Sequence, residues 1–119
     1  MKYMIMMFGD QSGMADKSPE WIQDMIGFMH TLNQDLENAG ELVSAEGLAD
    51  PSQAKTVTLQ NGLPVATDGP FAESKESLAG YWIIDVEGEA RAIEIASRVV
   101  AVTEGPMEVR QVMAGPPEQ

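Results

Sequence analysis

Leu78-Ala79-Gly80-Tyr81-Trp82-Ile83-Ile84-Asp85-Val86 decides how this chain folds. In an extended segment successive side chains point to opposite faces, so Trp82, Ile84 and Val86 share one face and Tyr81, Ile83 and Asp85 the other. Both faces are largely apolar, which places the segment inside a sheet that needs cover on both sides. Just upstream, Thr67-Asp68-Gly69-Pro70-Phe71-Ala72-Glu73-Ser74-Lys75-Glu76 reads as a stiff turn. The Asp68 carboxylate can accept from backbone amides ahead of it, Gly69 tolerates positive φ, and Pro70 fixes φ and removes a donor. Further back, Thr56–Leu59 and Leu63–Ala66 flank Gln60-Asn61-Gly62, and Asn-Gly is the strongest short-range hairpin signal. Pro64 cannot donate to a ladder, so the second arm lies at an edge or beside a bulge.

Downstream, Gly88 to Thr103 places Ala92, Ile93, Ala96, Val99 and Val100 at helical spacing and meets a stop at Gly105-Pro106. A last strand follows, with Met107, Val109, Gln111 and Met113 alternating with Glu108, Arg110 and Val112. Towards the amino end, residues 2 to 8 place Tyr3, Ile5 and Met7 on one face and Met4, Met6 and Phe8 on the other, again a doubly covered strand. Ser18-Pro19-Glu20 supplies an N-cap, a Pro at the first helical position and an acid in the first turn. The helix that follows runs to about Asn38, with Ile22, Met25, Ile26, Met29, Leu32 and Leu36 on one face and Gly40 as the stop. Glu41 to Leu48 is a short strand.

The order is strand, helix, strand, hairpin, strand, helix, strand. With the hairpin as an insertion this is an α+β chain, a ferredoxin-like βαββαβ with both helices on one face of an antiparallel sheet, in a single domain over residues 1–119. Two helices cover one face only, so the other is expected to pack against a second copy, giving a homodimer built through the sheets.

Composition excludes several function classes. Seven Lys and Arg against nineteen Asp and Glu give a net charge of −12, which repels phosphate backbones and anionic membranes. With no Cys there is no disulfide, thiolate metal site or Cys nucleophile, as suits a reducing cytoplasm. No apolar run is long enough to span a bilayer, and residues 1–8 are too short for a signal peptide. One His without Cys argues against a transition-metal site and leaves room only for a hard cation on carboxylates. Gly-rich phosphate loops and nucleophile elbows are missing from the sequence, so no cofactor is expected.

The run from Val65 to Ile84, centred on Thr67-Asp68-Gly69-Pro70-Phe71-Ala72-Glu73-Ser74-Lys75-Glu76, resembles the DGPF family of YCII-related proteins. Met1-Lys2-Tyr3-Met4, Gly40-Glu41-Leu42 with Gly47-Leu48, and Met107-Glu108-Val109-Arg110 look like its other landmarks in the same order. The resemblance covers nearly the whole chain and implies a dimeric α/β barrel in which two ferredoxin-like sheets pack face to face. It also implies two directions for function: a small enzyme with a His and Asp pair in a cleft, or a transcription-related protein encoded near extracytoplasmic-function sigma factors.

The candidate residues each have a plainer role. Asp68 is the candidate catalytic base or ligand carboxylate, or simply the cap of its own turn. His30, the one histidine, lies on the flank of the first helix's buried face, where it could reach a cleft edge or be solvated. Phe71, Glu73, Lys75 and Glu76 follow Asp68 as candidate ligand contacts. Arg110 faces the barrel interior if Met107 and Val109 face the helices, and there it needs Asp68, Glu73 or Glu76 as partner, or an anionic ligand. Tyr3, Trp82 and the methionine-rich first strand could line an apolar pocket, although such alternation is more often core or interface. Two functional readings stand: a small molecule bound in a cleft near the Asp68 loop, with acid-base help from His30 or Lys75, or a regulatory protein whose acidic surface meets a basic partner such as a sigma factor.

Overall fold

The computed structural model describes residues 1–9, 16–70 and 77–115. Six strands and two helices follow one another as β1 (Lys2–Phe8), α1 (Pro19–Asn38), β2 (Leu42–Gly47), β3 (Lys55–Gln60), β4 (Leu63–Asp68), β5 (Leu78–Asp85), α2 (Glu89–Thr103) and β6 (Met107–Gln111), with a 3-10 turn at Pro51–Gln53. The main sheet is antiparallel in the order β2-β5-β1-β6, and β3 with β4 forms a separate two-stranded arm. This is the ferredoxin-like α+β arrangement with a hairpin inserted between its second and third strands.

Local chemistry fixes the element ends. The Ser18 hydroxyl accepts from the Trp21 amide at 3.0 Å, Pro19 opens α1, and Gly40 takes φ +73° just beyond its end. At the close of α2 the left-handed position is held by Glu104, with φ 60°, and not by the glycine after it; its amide reaches Val100 O at 2.8 Å. Asn61 and Gly62 both have positive φ, 54° and 80°, as a two-residue hairpin turn requires. Pro64 sits in an arm that pairs on one side only, so its missing donor breaks no central ladder.

The core lies between the sheet and the two helices. Tyr3 and Ile5 of β1, Trp82 and Ile84 of β5 with Val86 just beyond it, Leu32 and Leu36 of α1, and Ala92, Ile95, Ala96 and Val99 of α2 form one buried cluster. The helical stripes are shifted slightly from the sequence expectation. Ile26 is 57% exposed and Ile93 48% exposed, whereas Ile95 is fully buried. Ala92, Ile95, Ala96 and Val99 are the positions that the three-and-four spacing stacks over the sheet, and Ile93 falls outside that row.

On the other face the register sets Ser44, Ile83, Met4 and Arg110 in one row and Glu46, Tyr81, Met6 and Glu108 in the next. Its centre is apolar and its edges are polar. No helix of the described residues is long and apolar enough to cross a membrane.

Candidate functional site

Small residues at one end of the main sheet create a cleft beneath α1. Ala45 and Gly47 of β2 lie beside Ala79 and Gly80 of β5, among bulkier neighbours Met7, Tyr81 and Trp82. Above them α1 contributes Met29 and Asn33, one helical turn apart, and Glu46 completes the lining. The resulting space is about 230 Å³. Gly80 is the residue that permits it: a Cβ there would stand 2.9 Å from the Glu46 carbonyl oxygen, closer than packed atoms tolerate.

The polar feature of the cleft is a pair. The Trp82 indole N–H donates to the Asn33 side-chain oxygen at 2.7 Å, joining β5 to α1. This bond satisfies the polar tip of a 94% buried indole and fixes the Asn33 amide, whose NH₂ remains a donor at the cleft. Met7 and Met29 line the same space with polarisable thioethers.

A second, more open groove surrounds Glu41, Asp85, Glu87 and Arg91. Its main charges are already matched. The Arg91 guanidinium grips Glu41 through two bonds of 2.9 and 2.8 Å and reaches Glu94 at 2.5 Å. Hydrogen bonding from Arg91 holds the Glu41 carboxyl below its ordinary value, and the same bonds raise the guanidinium further above its own. Asp85 accepts from the Met1 amino group at 3.0 Å. The groove ties α2 and the amino end to the sheet edge.

The residues singled out by sequence fall in different places. Trp82 lines the cleft, and Tyr3 is buried in the core. Asp68 is the last residue of β4, opposite Lys55, and forms an ion pair with that lysine. The ladder runs further than the turn residues suggest, which carries the side chain across the arm; both partners are largely exposed. His30 is exposed, one position round α1 from Met29. Arg110 does lie on the face away from the helices, as its alternation with Val109 requires, but its partner is Glu108 at 2.6 Å. Phe71, Glu73, Lys75 and Glu76 lie outside the described residues. No group of three His, Asp or Glu that could hold a metal ion occurs among the described residues.

Asn33, Met29, Glu46 and Gly80 were not picked out as site residues from the sequence. The available signal was slight: an Ala-Gly pair inside an otherwise bulky strand, and an asparagine beside the apolar stripe of α1.

The YCII-related domain matches residues 1–115 of the chain. A similar protein is an uncharacterized one of Rhizobium meliloti (strain 1021), 28% identical over 96 residues that make up 81% of this chain and 77% of that protein.

Proposed function

Because the chain belongs to the YCII-related domain family, we propose that it acts as a homodimer that binds a small organic molecule in the cleft between α1 and the β2/β5 end of the sheet. The observation that carries this reading is the Asn33–Trp82 pair at an apolar space kept open by Gly80 and its small neighbours. A pocket of this kind, apolar with one or two oriented polar groups, is how proteins hold small ligands. The Asn33 NH₂ would donate to a ligand oxygen while Met7, Met29 and Trp82 exclude water from the rest of the molecule. Any acid-base step by Asp68, with His30 or Lys75, would be additional to this binding, and the Lys55 pairing of Asp68 favours a structural part for it.

Dimerisation through the open sheet face is supported by the rows Ile83–Met4 and Tyr81–Met6, apolar side chains on the face away from the two helices of the described residues. Light scattering is expected to give twice the 12.9 kDa chain mass, and Met6→Glu to give a monomer. A wild-type monomer at micromolar concentration would end the dimer reading. For the cleft, a thermal-shift screen of small organic molecules is expected to yield hits that vanish in Met29→Trp, which fills the space, and persist in Asp68→Asn. Hits that ignore Met29→Trp would place binding elsewhere.

A further inference from the structure

The two faces of the sheet divide the lining of the cleft by chemistry. Met7, Gly80 and Trp82 alternate in step with Tyr3, Ile5 and Ile84, and Ala45 stands opposite Trp82, so they belong to the face that the helices cover, where α1 adds Met29 and Asn33. Glu46 and Tyr81, opposite each other in the next register position, direct their side chains to the other face and border the space with their backbone. Among the described residues the covered side of the cleft therefore has no charged side chain. Asn33 is its one polar group besides the indole that Asn33 already satisfies.

Asn33 presents only half of its chemistry. The indole N–H can donate but not accept, so the bond to Trp82 fixes the amide oxygen at the indole and turns the NH₂ elsewhere. Turning the amide over would set two donors against each other at 2.7 Å. The cleft thus offers a donor without a charge. An ion entering it leaves water and meets no counter-charge, a heavy cost among apolar walls, whereas a neutral molecule with a hydrogen-bond acceptor meets a matched group. The space is about 230 Å³. Since an apolar cavity of about 150 Å³ admits benzene, it takes one ring with a short substituent.

Resting on the small-molecule reading above, we propose that the cleft selects a neutral carbonyl compound of single-ring size, with its oxygen accepting from the Asn33 NH₂ and its ring among Met7, Met29 and Trp82. The net charge of −12 keeps anions away. Cations, which that field draws to the surface, find no carboxylate on the covered side.

Four probes of nearly the same shape separate charge from hydrogen bonding: acetophenone, a neutral acceptor; α-methylstyrene, in which a CH₂ replaces the oxygen; benzoate, an anion; and benzamidinium, a cation that only donates. Binding is read from the NMR signals of the Trp82 indole N–H and the Asn33 NH₂, the indole being assigned by loss of the other tryptophan signal in Trp21→Phe. In the wild type acetophenone is expected to bind about tenfold more tightly than either ion. Asn33→Asp keeps an acceptor for the indole and removes the donor. There the affinity of acetophenone relative to α-methylstyrene should fall about tenfold, and benzamidinium should overtake acetophenone. An ion that matches acetophenone in the wild type overturns the carbonyl proposal and leaves the small-molecule reading standing. So does an acetophenone to α-methylstyrene ratio that Asn33→Asp leaves unchanged. If none of the four moves either signal at millimolar concentration, both the proposal and the small-molecule reading fail. Should Asn33→Asp not fold, the wild-type ranking against the two ions decides alone.

Discussion

The main sheet and the β3–β4 arm meet different fates. Both are antiparallel with regular pairing over most of their length, but β1 and β5 are apolar on both faces, whereas Val57 and Leu59 alternate with polar residues along β3. Ile5 and Ile84 in the sheet are 0% exposed, while Val57 and Leu59 in the arm are 66% and 73% exposed. On one face of the arm Val57 stands opposite Ala66 and Leu59 opposite Pro64, a small apolar surface without helical cover. Alternation therefore specifies a strand but not its burial. Burial comes from α1 and α2, and the cleft opens where α1 passes over the small residues at the end of that covered sheet.

The largest expected effect probes this contrast directly. Ile84→Ala should lower stability by about 3 kcal/mol, since it removes buried methylenes and leaves a cavity between sheet and helices. Leu59→Ala should change it by less than about 0.5 kcal/mol if the arm stands in water. Equilibrium urea unfolding of the two variants makes the comparison, and a cost at Leu59 approaching that at Ile84 would show that the arm is packed against a second copy.

Gly80→Ala comes next, at about 2 kcal/mol, because the new Cβ meets backbone at Glu46 O and not a side chain that could turn away. The same substitution should close part of the cleft, so thermal-shift hits should weaken beyond the loss of stability. Unchanged melting would mean that β2 shifts freely from β5 and that the sheet end is softer than its register implies.

A smaller effect, about 1 kcal/mol, is expected from Arg91→Gln, which removes the fork on Glu41. Its sign with pH follows from the carboxylate. The folded value of Glu41 is depressed below the ordinary 4.5, so the pair stabilises the fold fully above that value. As pH falls through the depressed folded value, Glu41 takes up a proton and the contribution is lost. The gap in melting temperature between wild type and Arg91→Gln should therefore be widest near neutrality and close below the ordinary carboxylate value. A gap that stays constant to pH 3 would mean that Arg91 acts through its packing alone.

Much of the fold was legible because its signals are local. Ser18-Pro19 announced α1, Asn61-Gly62 announced the arm, and the two-sided apolar pattern of residues 2–8 and 78–86 gave the central strands. The cleft was not legible, because it is made of omissions: Ala45, Gly47, Ala79 and Gly80 contribute by lacking side chains, and they come from two separate strands. Asn33 acquires its part only when Trp82, far along the chain, donates to it. Asp68 drew attention as a charged residue in a stiff turn, and the extra ladder step to Lys55 that gives it another partner depends on where the β3–β4 pairing ends.

The position of β1 in the sheet also sets the timing of folding during synthesis. It is made before both of its neighbours, β5 and β6. Until β5 has left the ribosome, Tyr3, Ile5 and the methionines around them have no ladder to join, while the arm can close by itself from adjacent residues. The nascent chain thus carries an unpaired, doubly apolar strand until β5 emerges, a segment suited to chaperone capture. Truncations that stop before Leu78 should accordingly be aggregation-prone, even though they contain the whole of α1 and the arm.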